Sequence, residues 1–563
     1  MRHKVKLLGR AVAAAGTVAI ALAGLIPAPG NATGTAGSAA GPTGIRPVRD
    51  CADLQQVYTI PGAVTHVTKA AAVAATSTSP AYCEVEGFVE PAVGFKLRLP
   101  LTTYSGRYLQ YGCDGLCGVI QDPVIRGCGT PAGGDLAVAS TNDGHVGKGG
   151  FPFNITDGTW AADDQAARND YFFRAPHVVS VAAKRIISTF YGSPPHRSYF
   201  SGCSTGGREG LLLAQRYPHD FDGIVAGSPV NVMGPLIGLY HAWLATMNVR
   251  PDGTPVLTAD KLPALHSAVL AACDRLDGLT DGQIDDPRAC KYDPVALQCP
   301  AGSDSAACLT PAQVSIVRQL YRGLTDSHGV RLYPGWESRG SELAWYGAII
   351  PDPVFGSFLA PLPDNYLKYV GYPIGKPHSS IADIEFTVPE LRRLTPEGVK
   401  GNAMSLDLSA FRRAGGKLII WHGWDDQTVP AVGTVDYYDR LTRANGGRRA
   451  TQQWARLFMV PTKYHCGLGG YKLTDIDPIP ALIGWVEHRD APDRIIATEV
   501  DPNTHEVHRS RPVFPYPLRA AYDGTGSIDN ATNFTPAPPL RPTQDTIPWA
   551  GTDLYHRPGP VAR

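Results

Sequence analysis

The sequence lacks an excess of either charge, because 51 Lys and Arg residues balance 51 Asp and Glu residues over 563 positions. That balance provides no broad basic surface for nucleic acid or acidic lipid, so we expect neither kind of partner. Beyond Leu25 no stretch reaches the roughly 18 apolar residues that a membrane span needs, and no internal repeat is visible. A soluble globular protein with a large core is therefore favoured.

The N-terminus has the pattern of a secretory signal. Four basic residues among the first ten precede an apolar run from Ala11 to about Leu25, and small residues follow it up to Ala36. The run is short for a membrane span, which favours export with cleavage over a retained anchor. We therefore expect residues 1–36 to be a signal peptide, and the mature protein to be secreted into a compartment that permits disulfides.

Cysteines are few, and two of them stand beside residues of catalytic type. All eleven lie beyond the signal segment, and the odd number leaves at least one thiol unpaired within the chain. Cys203 precedes Ser204, and Cys466 follows His465. A single bond from Cys203 to Cys466 would hold the two neighbouring residues together. This arrangement suggests a serine hydrolase whose nucleophile and base are fixed by a disulfide.

Short apolar runs alternate with helical stretches between about residues 105 and 228. We predict helices over 175–191 and through 211–213, and strands over 107–111, 136–140, 197–200 and 221–226. The alternation is lost from about 230 to 405 and returns with strands over 417–421 and 456–460. Alternation at this spacing predicts parallel βαβ units and an α/β fold.

The same pattern divides the chain. Residues 45–228 and 406–520 are expected to form an α/β-hydrolase core, into which residues 229–405 are inserted. The segment 521–563 is rich in proline, and we expect it to be extended, or disordered at its tip.

A nucleophile elbow is predicted at Gly202-x-Ser204-x-Gly206, which follows a strand and precedes a helix. The turn is too tight for side chains at the flanking positions, which explains the glycines. The N–H of Thr205, at the start of the helix, is a natural donor to an oxyanion.

A serine nucleophile needs a histidine base and an orienting carboxylate, which follow it in the order acid, then histidine, in an α/β-hydrolase core. The strand at 417–421 leads into Asp425 and Asp426, and the strand at 456–460 leads into His465. Spacing alone does not choose between the two aspartates. Three other histidines fit less well: His422 leaves the later strand without a role, whereas His145 and His177 precede the serine.

The second oxyanion donor is expected in the glycine-rich loop 112–118, which follows the strand at 107–111. Gly115 is the favoured residue, although a simple turn would have the same composition.

With these residues assembled, the sequence resembles the tannase and feruloyl esterase family of secreted α/β hydrolases, from about residue 50 to 535. The most specific element is the Cys-Ser and His-Cys pairing, supported by Gly202–Gly207, Phe221–Pro229 and His422–Trp424. The resemblance implies that Asp426, rather than Asp425, completes a triad with Ser204 and His465. It also implies that the insertion 229–405 is a lid over the active site.

The resemblance further implies a structural calcium ion in the lid, within Cys273–Gln283. Asp274, Asp277 and Asp281 would supply side chains, and Leu279 and Gln283 would supply backbone carbonyls. Closely spaced carboxylates with turn-forming glycines suit a hard cation, although a solvated acidic turn would have the same sequence pattern. No organic cofactor is expected.

Besides Cys203–Cys466, the family pattern implies three more disulfides: Cys273–Cys290, Cys299–Cys308 and Cys51–Cys83. Cys113, Cys117 and Cys128 are additional to the family pattern, and the sequence does not say which two of them pair. The C-terminal region lacks the cysteines that often bridge it in the family, so that end is expected to be looser.

The predicted function is hydrolysis of aromatic acid esters through an acyl-enzyme. Hydroxycinnamate (feruloyl-type) esters are the favoured substrates, gallate esters are the second choice, and terephthalate monoesters are a further alternative. The acid and the oligomeric state are not indicated by the sequence, although the insertion offers Trp345, Tyr346, Phe355 and Phe358 as aromatic contacts. The alternative of a different class is a secreted binding protein with an inactive site, which the intact set of Ser, Asp and His disfavours.

Overall fold

A ten-stranded mixed sheet forms the centre of the computed structural model, which describes residues 44–77, 79–121, 134–352, 356–501, 503–543 and 545–559. The predicted signal segment, Cys128 and Phe355 lie outside the described residues. The strands are β1 (Val57–Tyr58), β2 (Thr65–Val73), β3 (Tyr82–Val89), β4 (Val93–Pro100), β5 (Arg107–Tyr111), β6 (Ala137–Thr141), β7 (Arg197–Cys203), β8 (Gly223–Gly227), β9 (Lys417–Gly423) and β10 (Ala455–Val460).

The sheet has an antiparallel half and a parallel half. Its order is β1-β2-β3-β4-β6-β5-β7-β8-β9-β10, and β1 to β4 pair antiparallel, as do β4 and β6. From β6 to β10 every pairing is parallel. The carboxyl ends of these parallel strands therefore meet at one edge, where ligand sites of such sheets form. All six strands predicted from apolar runs are present in this half.

Helices cover both faces of the sheet. They are α1 (Gln165–Asn169), α2 (Ala175–Tyr191), α3 (Thr205–Arg216), α4 (Ala242–Thr246), α5 (Leu262–Cys273), α6 (Pro311–Arg322), α7 (Pro361–Asn365), α8 (Val388–Gly401), α9 (Ser409–Arg413), α10 (Ala431–Ala444), α11 (Arg448–Thr451) and α12 (Ile479–His488), with π-helical segments at Asp170–Arg174, Gly234–His241 and Tyr366–Val370. None of the described helices combines the length and apolar character needed to cross a membrane.

The amphipathic helix α2 shows how sequence produces this layering. Its apolar residues recur at helical spacing, and Val179, Ile186 and Phe190 are completely buried. They join the larger of two core clusters, while α12 packs into the smaller one on the other face of the sheet.

The insertion lies between β8 and β9, which are neighbours in the sheet although 189 residues separate them in sequence. Helices α4 to α8 fall within residues 229–405. Buried charge joins it to the core: Arg168 of α1 lies 3.2 Å from Glu397 of α8, and both side chains are fully buried. Arg208 of α3 donates to the carbonyl of Gly401 at 3.2 Å. Residues from Gly44 onward form one compact unit.

The C-terminal region differs from the expectation of a loose tail. Two small sheets follow β10, formed by β11 (Asp475–Ile476), β12 (Ile495–Val500) and β13 (Val507–Val513), and by β14 (Arg519–Tyr522) and β15 (Phe534–Ala537). Beyond them, Trp549 and Leu554 are buried, and the Tyr555 hydroxyl donates to Asp436 of α10 at 2.5 Å. Residues 545–559 are packed rather than extended, because these side chains contribute to the core, and the tip beyond residue 559 lies outside the described residues.

Candidate active site

Ser204 lies at the turn between β7 and α3, in a strained backbone conformation. Its φ of 60° and ψ of −120° are costly for a residue with a side chain, and such strain is found at functional sites. The turn closes tightly, since a Cβ on Gly202 would lie 2.4 Å from the carbonyl carbon of Gly206. The predicted elbow is therefore present, with the serine at the N-terminus of a twelve-residue helix.

Asp426 and His465 meet after the ends of β9 and β10. The Nδ1 of His465 lies 2.6 Å from Oδ2 of Asp426, whose other oxygen accepts the N–H groups of Thr428 and Val429 at 3.0 and 2.8 Å. Burial alone would raise the pKa of Asp426, but the positive charge of His465 and hydrogen bonds from His422 and His465 hold it well below its usual range. The aspartate is therefore ionised and fixed.

The neighbouring aspartate is in a different environment. Asp425 is also buried, and one of its carboxylate oxygens has no hydrogen-bond partner among the described residues. Burial and the charge of Glu342 raise the pKa of Asp425 well above its usual value. The geometry thus distinguishes the two aspartates, which spacing in the sequence could not do.

The disulfide Cys203–Cys466 joins the elbow to the histidine loop, with 5.9 Å between the two Cα atoms. Cys203 is the last residue of β7, and Cys466 has a positive φ of 46°. In the described chain Nε2 of His465 lies 3.4 Å from the Sγ of Cys466 and makes no hydrogen bond to Ser204. Contacts between nucleophile and base are often long until substrate is bound. The disulfide places the base loop beside the nucleophile.

The other three predicted disulfides, Cys51–Cys83, Cys273–Cys290 and Cys299–Cys308, are present as well. A fifth, Cys113–Cys117, answers the question that the sequence left open.

That fifth disulfide closes the loop 112–118 against the elbow. The carbonyl of Cys113 accepts the N–H of Gly206 at 2.8 Å, and the carbonyl of Gly115 accepts the hydroxyl of Thr205 at 2.7 Å. Gly115 has a φ of +59°, and a Cβ there would lie 2.3 Å from the carbonyl oxygen of Ile155. Within the described residues, neither the N–H of Thr205 nor that of Gly115 has an acceptor.

Two buried carboxyl groups lie beneath this loop, and sequence reasoning missed them. Glu209 of α3 accepts the N–H of Cys113 at 3.2 Å, and Asp143 after β6 is within 3.5 Å of the Cys117 sulfur. Burial raises the pKa of Asp143 to about 7, and burial together with the charge of Asp143 raises that of Glu209. The pair therefore holds a proton near neutral pH. The two residues lie far apart in the sequence, and only the sheet brings them together.

The alternative histidines have structural surroundings. His422 is fully buried between Thr434, Asp426 and the carbonyl of Val429. His145 bonds to the carbonyl of Leu116 at 2.7 Å, and burial lowers its pKa to about 4. Nδ1 of His177, in α2, lies 2.6 Å from the carboxylate of Asp220.

The predicted calcium loop brings several oxygen atoms together. Asp274 caps the turn by accepting the N–H of Gly282 at 3.0 Å, and one carboxylate oxygen of Asp281 is buried without a partner among the described residues. Burial and the charge of Asp285 raise the pKa of Asp277 to about 8. Mutually repelling carboxylates with an unpartnered oxygen suit a divalent cation, although no three carboxylates of the described loop have ligand atoms within 4.8 Å of one another. Asp285 is a neighbour of the cluster that the sequence did not single out.

Arginines hold the same loop from outside. Arg509 of β13 lies 3.2 Å from Asp281, and Arg511 also pairs with it. Arg519 of β14 donates to the carbonyl of Asp277 at 3.4 Å. The C-terminal sheets thus anchor this part of the insertion.

Comparison with known proteins places these features in a family. The model of the family described as tannase and feruloyl esterase matches residues 72–355 and 392–537. A mono(2-hydroxyethyl) terephthalate hydrolase of Piscinibacter sakaiensis is 33% identical over 535 residues, covering 84% of this chain and 87% of its own. A probable feruloyl esterase B of Emericella nidulans is 30% identical, covering 76% and 80%.

Among solved structures, feruloyl esterase B from Aspergillus oryzae matches with a TM-score of 0.72 and 25% identity. The match covers 84% of this chain and 97% of that one. The similarity therefore extends over the insertion as well as the sheet.

Proposed function

Because the chain belongs to the tannase and feruloyl esterase family, a family of carboxylic ester hydrolases, we propose that it is a secreted serine esterase acting on esters of aromatic acids. One observation carries the proposal: Ser204 stands at a strained elbow that a disulfide ties to the loop of His465, itself paired with Asp426. Five disulfides suit an oxidising compartment outside the cytosol.

In the proposed reaction His465 acts as the base. Its Nε2 takes the proton of the Ser204 hydroxyl as the oxygen attacks the ester carbonyl, while Asp426 accepts the Nδ1–H and stabilises the imidazolium. His465 then gives the proton to the departing alcohol, which leaves an acyl group on Ser204. A water molecule, deprotonated by His465, hydrolyses this acyl-enzyme and restores the serine.

The oxyanion of each tetrahedral intermediate would be bound by the backbone N–H groups of Thr205 and Gly115. Both groups are free of acceptors in the described structure, and the bond between the Thr205 hydroxyl and the Gly115 carbonyl keeps the two backbones together. The disulfide Cys113–Cys117 and Glu209 would hold the loop in place before substrate arrives.

The insertion would act as the lid, and exposed apolar side chains near the triad would meet the acid. Leu468 is 55% exposed, and its N–H donates to the carbonyl of His465 at 2.9 Å. Phe153 is 60% exposed in a segment whose Ile155 bonds to the oxyanion loop. Of the aromatic residues proposed from the sequence, Trp345 is fully buried, whereas Tyr346 and Phe358 are exposed enough to contact a ring.

Asp274, Asp277 and Asp281, with the carbonyls of Leu279 and Gln283, would hold a calcium ion that stabilises the insertion. Its contribution is charge neutralisation of the crowded carboxylates rather than a step at the ester.

The mechanism is tested with Ser204→Ala on methyl ferulate. We expect a fall in kcat of at least about 10⁴-fold and no labelling by a fluorophosphonate probe. Ser201→Ala, three residues earlier on β7, is the matched control and should still be labelled. Turnover by Ser204→Ala at the wild-type rate would exclude the triad, and an unlabelled wild-type protein would favour the inactive binding protein.

The acid is tested by comparing kcat/KM for methyl ferulate, caffeate, p-coumarate, sinapate and gallate. We expect the hydroxycinnamates to be preferred, in line with the feruloyl esterase relatives. Mono(2-hydroxyethyl) terephthalate belongs in the same panel, because the hydrolase named for it is 33% identical to this chain. A preference for gallate or for the terephthalate ester would replace the hydroxycinnamate proposal without affecting the triad.

A further inference from the structure

A cavity of about 930 Å³ lies away from the triad, between helices α6 and α10 and the C-terminal segment 545–550. Its lining contains neither the triad and oxyanion residues nor the calcium loop. The volume is within the range of pockets that hold organic ligands. The C-terminal segment, which the sequence suggested to be loose, forms one of its walls.

The lining is strongly basic although the whole protein is neutral. Five arginines line the cavity against a single carboxylate, Asp545. Arg288 and Arg541 lie 2.9 and 2.6 Å from that carboxylate, and Arg288 also donates to both oxygens of Asp286 at 2.8 Å. The other three, Arg322, Arg331 and Arg339, have no carboxylate within 4 Å in the part of the chain that is described. The cavity therefore presents three guanidinium groups that form no salt bridge with the described residues, beside two that are paired.

Ring faces and carbonyls hold these arginines in place. The guanidinium of Arg331 lies 5.1 Å from the centre of the Trp336 ring and donates to the carbonyl of Arg322 at 2.8 Å. That of Arg339 lies 4.4 Å from the Tyr321 ring and donates to a carbonyl at 2.8 Å. Burial lowers the pKa of Arg331, and the charge of Arg322 lowers it further. A guanidinium fixed over a ring still presents N–H groups to an anion.

A further donor faces no acceptor. Trp549 lines the cavity and is 6% exposed, and its indole N–H is buried with no hydrogen-bond partner among the described residues. The lining thus offers donors and positive charge in excess. An occupant must supply several acceptor oxygens and negative charge to satisfy them.

We propose that this cavity binds an acidic oligosaccharide, a short chain of sugars bearing carboxylate groups. Carboxylates match the fork of the guanidinium, and sugar hydroxyls can accept from the remaining guanidinium N–H groups. A free aromatic acid fits less well, because guanidinium groups already cover faces of the Trp336 and Tyr321 rings. A small inorganic anion would leave most of the volume unfilled. The site would add carbohydrate binding to the proposed esterase activity.

The test measures binding of trigalacturonate to the full-length mature protein by calorimetry and by tryptophan fluorescence. We expect saturable binding that weakens about tenfold in Arg322→Gln and in Arg331→Gln, since each loses a charge-assisted contact. Arg318→Gln is the matched control: it lies on the same helix, pairs with Asp293 outside the cavity, and should bind as the wild type does.

Two comparison ligands test whether both the sugar chain and its carboxylates are needed for binding. Maltotriose, which has no carboxylate, and inorganic phosphate should each bind at least tenfold more weakly than trigalacturonate. Absence of saturable trigalacturonate binding, equal affinity in all variants, or equal affinity for any comparison ligand would overturn the proposal. Hydrolysis of methyl ferulate is followed in parallel and should be unchanged in the arginine variants, so that failure of the cavity proposal is separate from failure of the esterase proposal.

Discussion

Removal of the Cys203–Cys466 disulfide should lower both stability and activity, whereas removal of another disulfide should lower stability alone. The perturbation is the double variant Cys203→Ala, Cys466→Ala, which avoids leaving one free thiol. Its matched control is Cys51→Ala, Cys83→Ala, which removes a bond at the antiparallel end of the sheet, away from the triad.

The expected loss of stability follows from the loops that the bonds close. For the separation of 263 residues between Cys203 and Cys466, the chain-entropy relation predicts about 5.6 kcal/mol at 25 °C. For the 32 residues between Cys51 and Cys83 it predicts about 3.7 kcal/mol. Both values are upper bounds, because an unfolded chain retains structure that the relation ignores. Denaturant midpoints should fall for both variants, and further for the first.

Activity measurements should distinguish the Cys203–Cys466 disulfide from the Cys51–Cys83 disulfide. Without Cys203–Cys466 the loops of Ser204 and His465 lose their covalent link, and a displacement of about 1 Å can cost about a hundredfold in rate. We expect kcat on methyl ferulate, and the rate of fluorophosphonate labelling, to fall by about that factor in the first variant. Both rates should be unchanged in the control. A first variant that loses stability but retains the wild-type rates would refute this reasoning, and the bond would then serve stability only.

Further predictions concern bound calcium and pH. Calcium at a hundred times its Kd should stabilise the protein by about 2.7 kcal/mol. Asp277→Asn should lose most of this gain in stability, and the control Asp293→Asn should keep it. An equal gain in both variants would exclude the loop as the calcium site. Burial raises the pKa of Asp143 to about 7 in the fold, so the free energy of unfolding should fall as pH rises from about 4, the unfolded value, to about 7. One such proton changes the free energy of unfolding by up to about 1.4 kcal/mol per pH unit, and Asp143→Asn should reduce this dependence. Denaturation midpoints between pH 4 and 8 measure it. An unchanged pH dependence in the variant would contradict the raised pKa of Asp143.

Local patterns predicted the parallel half of the fold well. The strand at 107–111 and the helix at 175–191 have the predicted bounds, because apolar spacing alone specifies a buried strand and an amphipathic helix. Strands β2 and β3 were not predicted, since many of their residues are half-exposed and their alternation is irregular. Strand β4 was missed although its buried and half-buried residues alternate regularly from Val93 to Leu99. The packing of Tyr555 on Asp436 depends on residues more than a hundred positions apart, which no local pattern shows.

The candidate site, like the fold, could be predicted from the sequence only in part. Gly202-x-Ser204 and His465 could be found because each follows a recognisable strand, and the adjacent cysteines linked them. Glu209 and Asp143 could not be found, since their proximity depends on the order of strands in the sheet. The described part of the insertion has amphipathic helices such as α6 but no strand–helix alternation, so the roles of its residues were inferred from the family resemblance.

The position of His465 requires more than the sheet. In the sheet β7 and β10 are separated by β8 and β9, so their ends should lie about 14 Å apart at the usual strand spacing. Yet the Cα atoms of Cys203 and Cys466 are 5.9 Å apart. The chain after β10 must therefore fold back across the ends of β8 and β9, passing the loop of Asp426 on the way.

Turns and a buried cation support that return path. Thr462 and Cys466 both have positive φ, at 60° and 46°, and the ammonium of Lys463 donates to the carbonyls of Cys466 and Thr474 at 2.7 and 2.9 Å. Positive φ at residues with side chains is costly and persists only where surrounding contacts impose it. Lys463 and the disulfide impose it here from opposite ends of the loop. Since Asp426 contacts only the Nδ1 side of the ring, the position of the Nε2 side relative to the elbow depends on these two constraints.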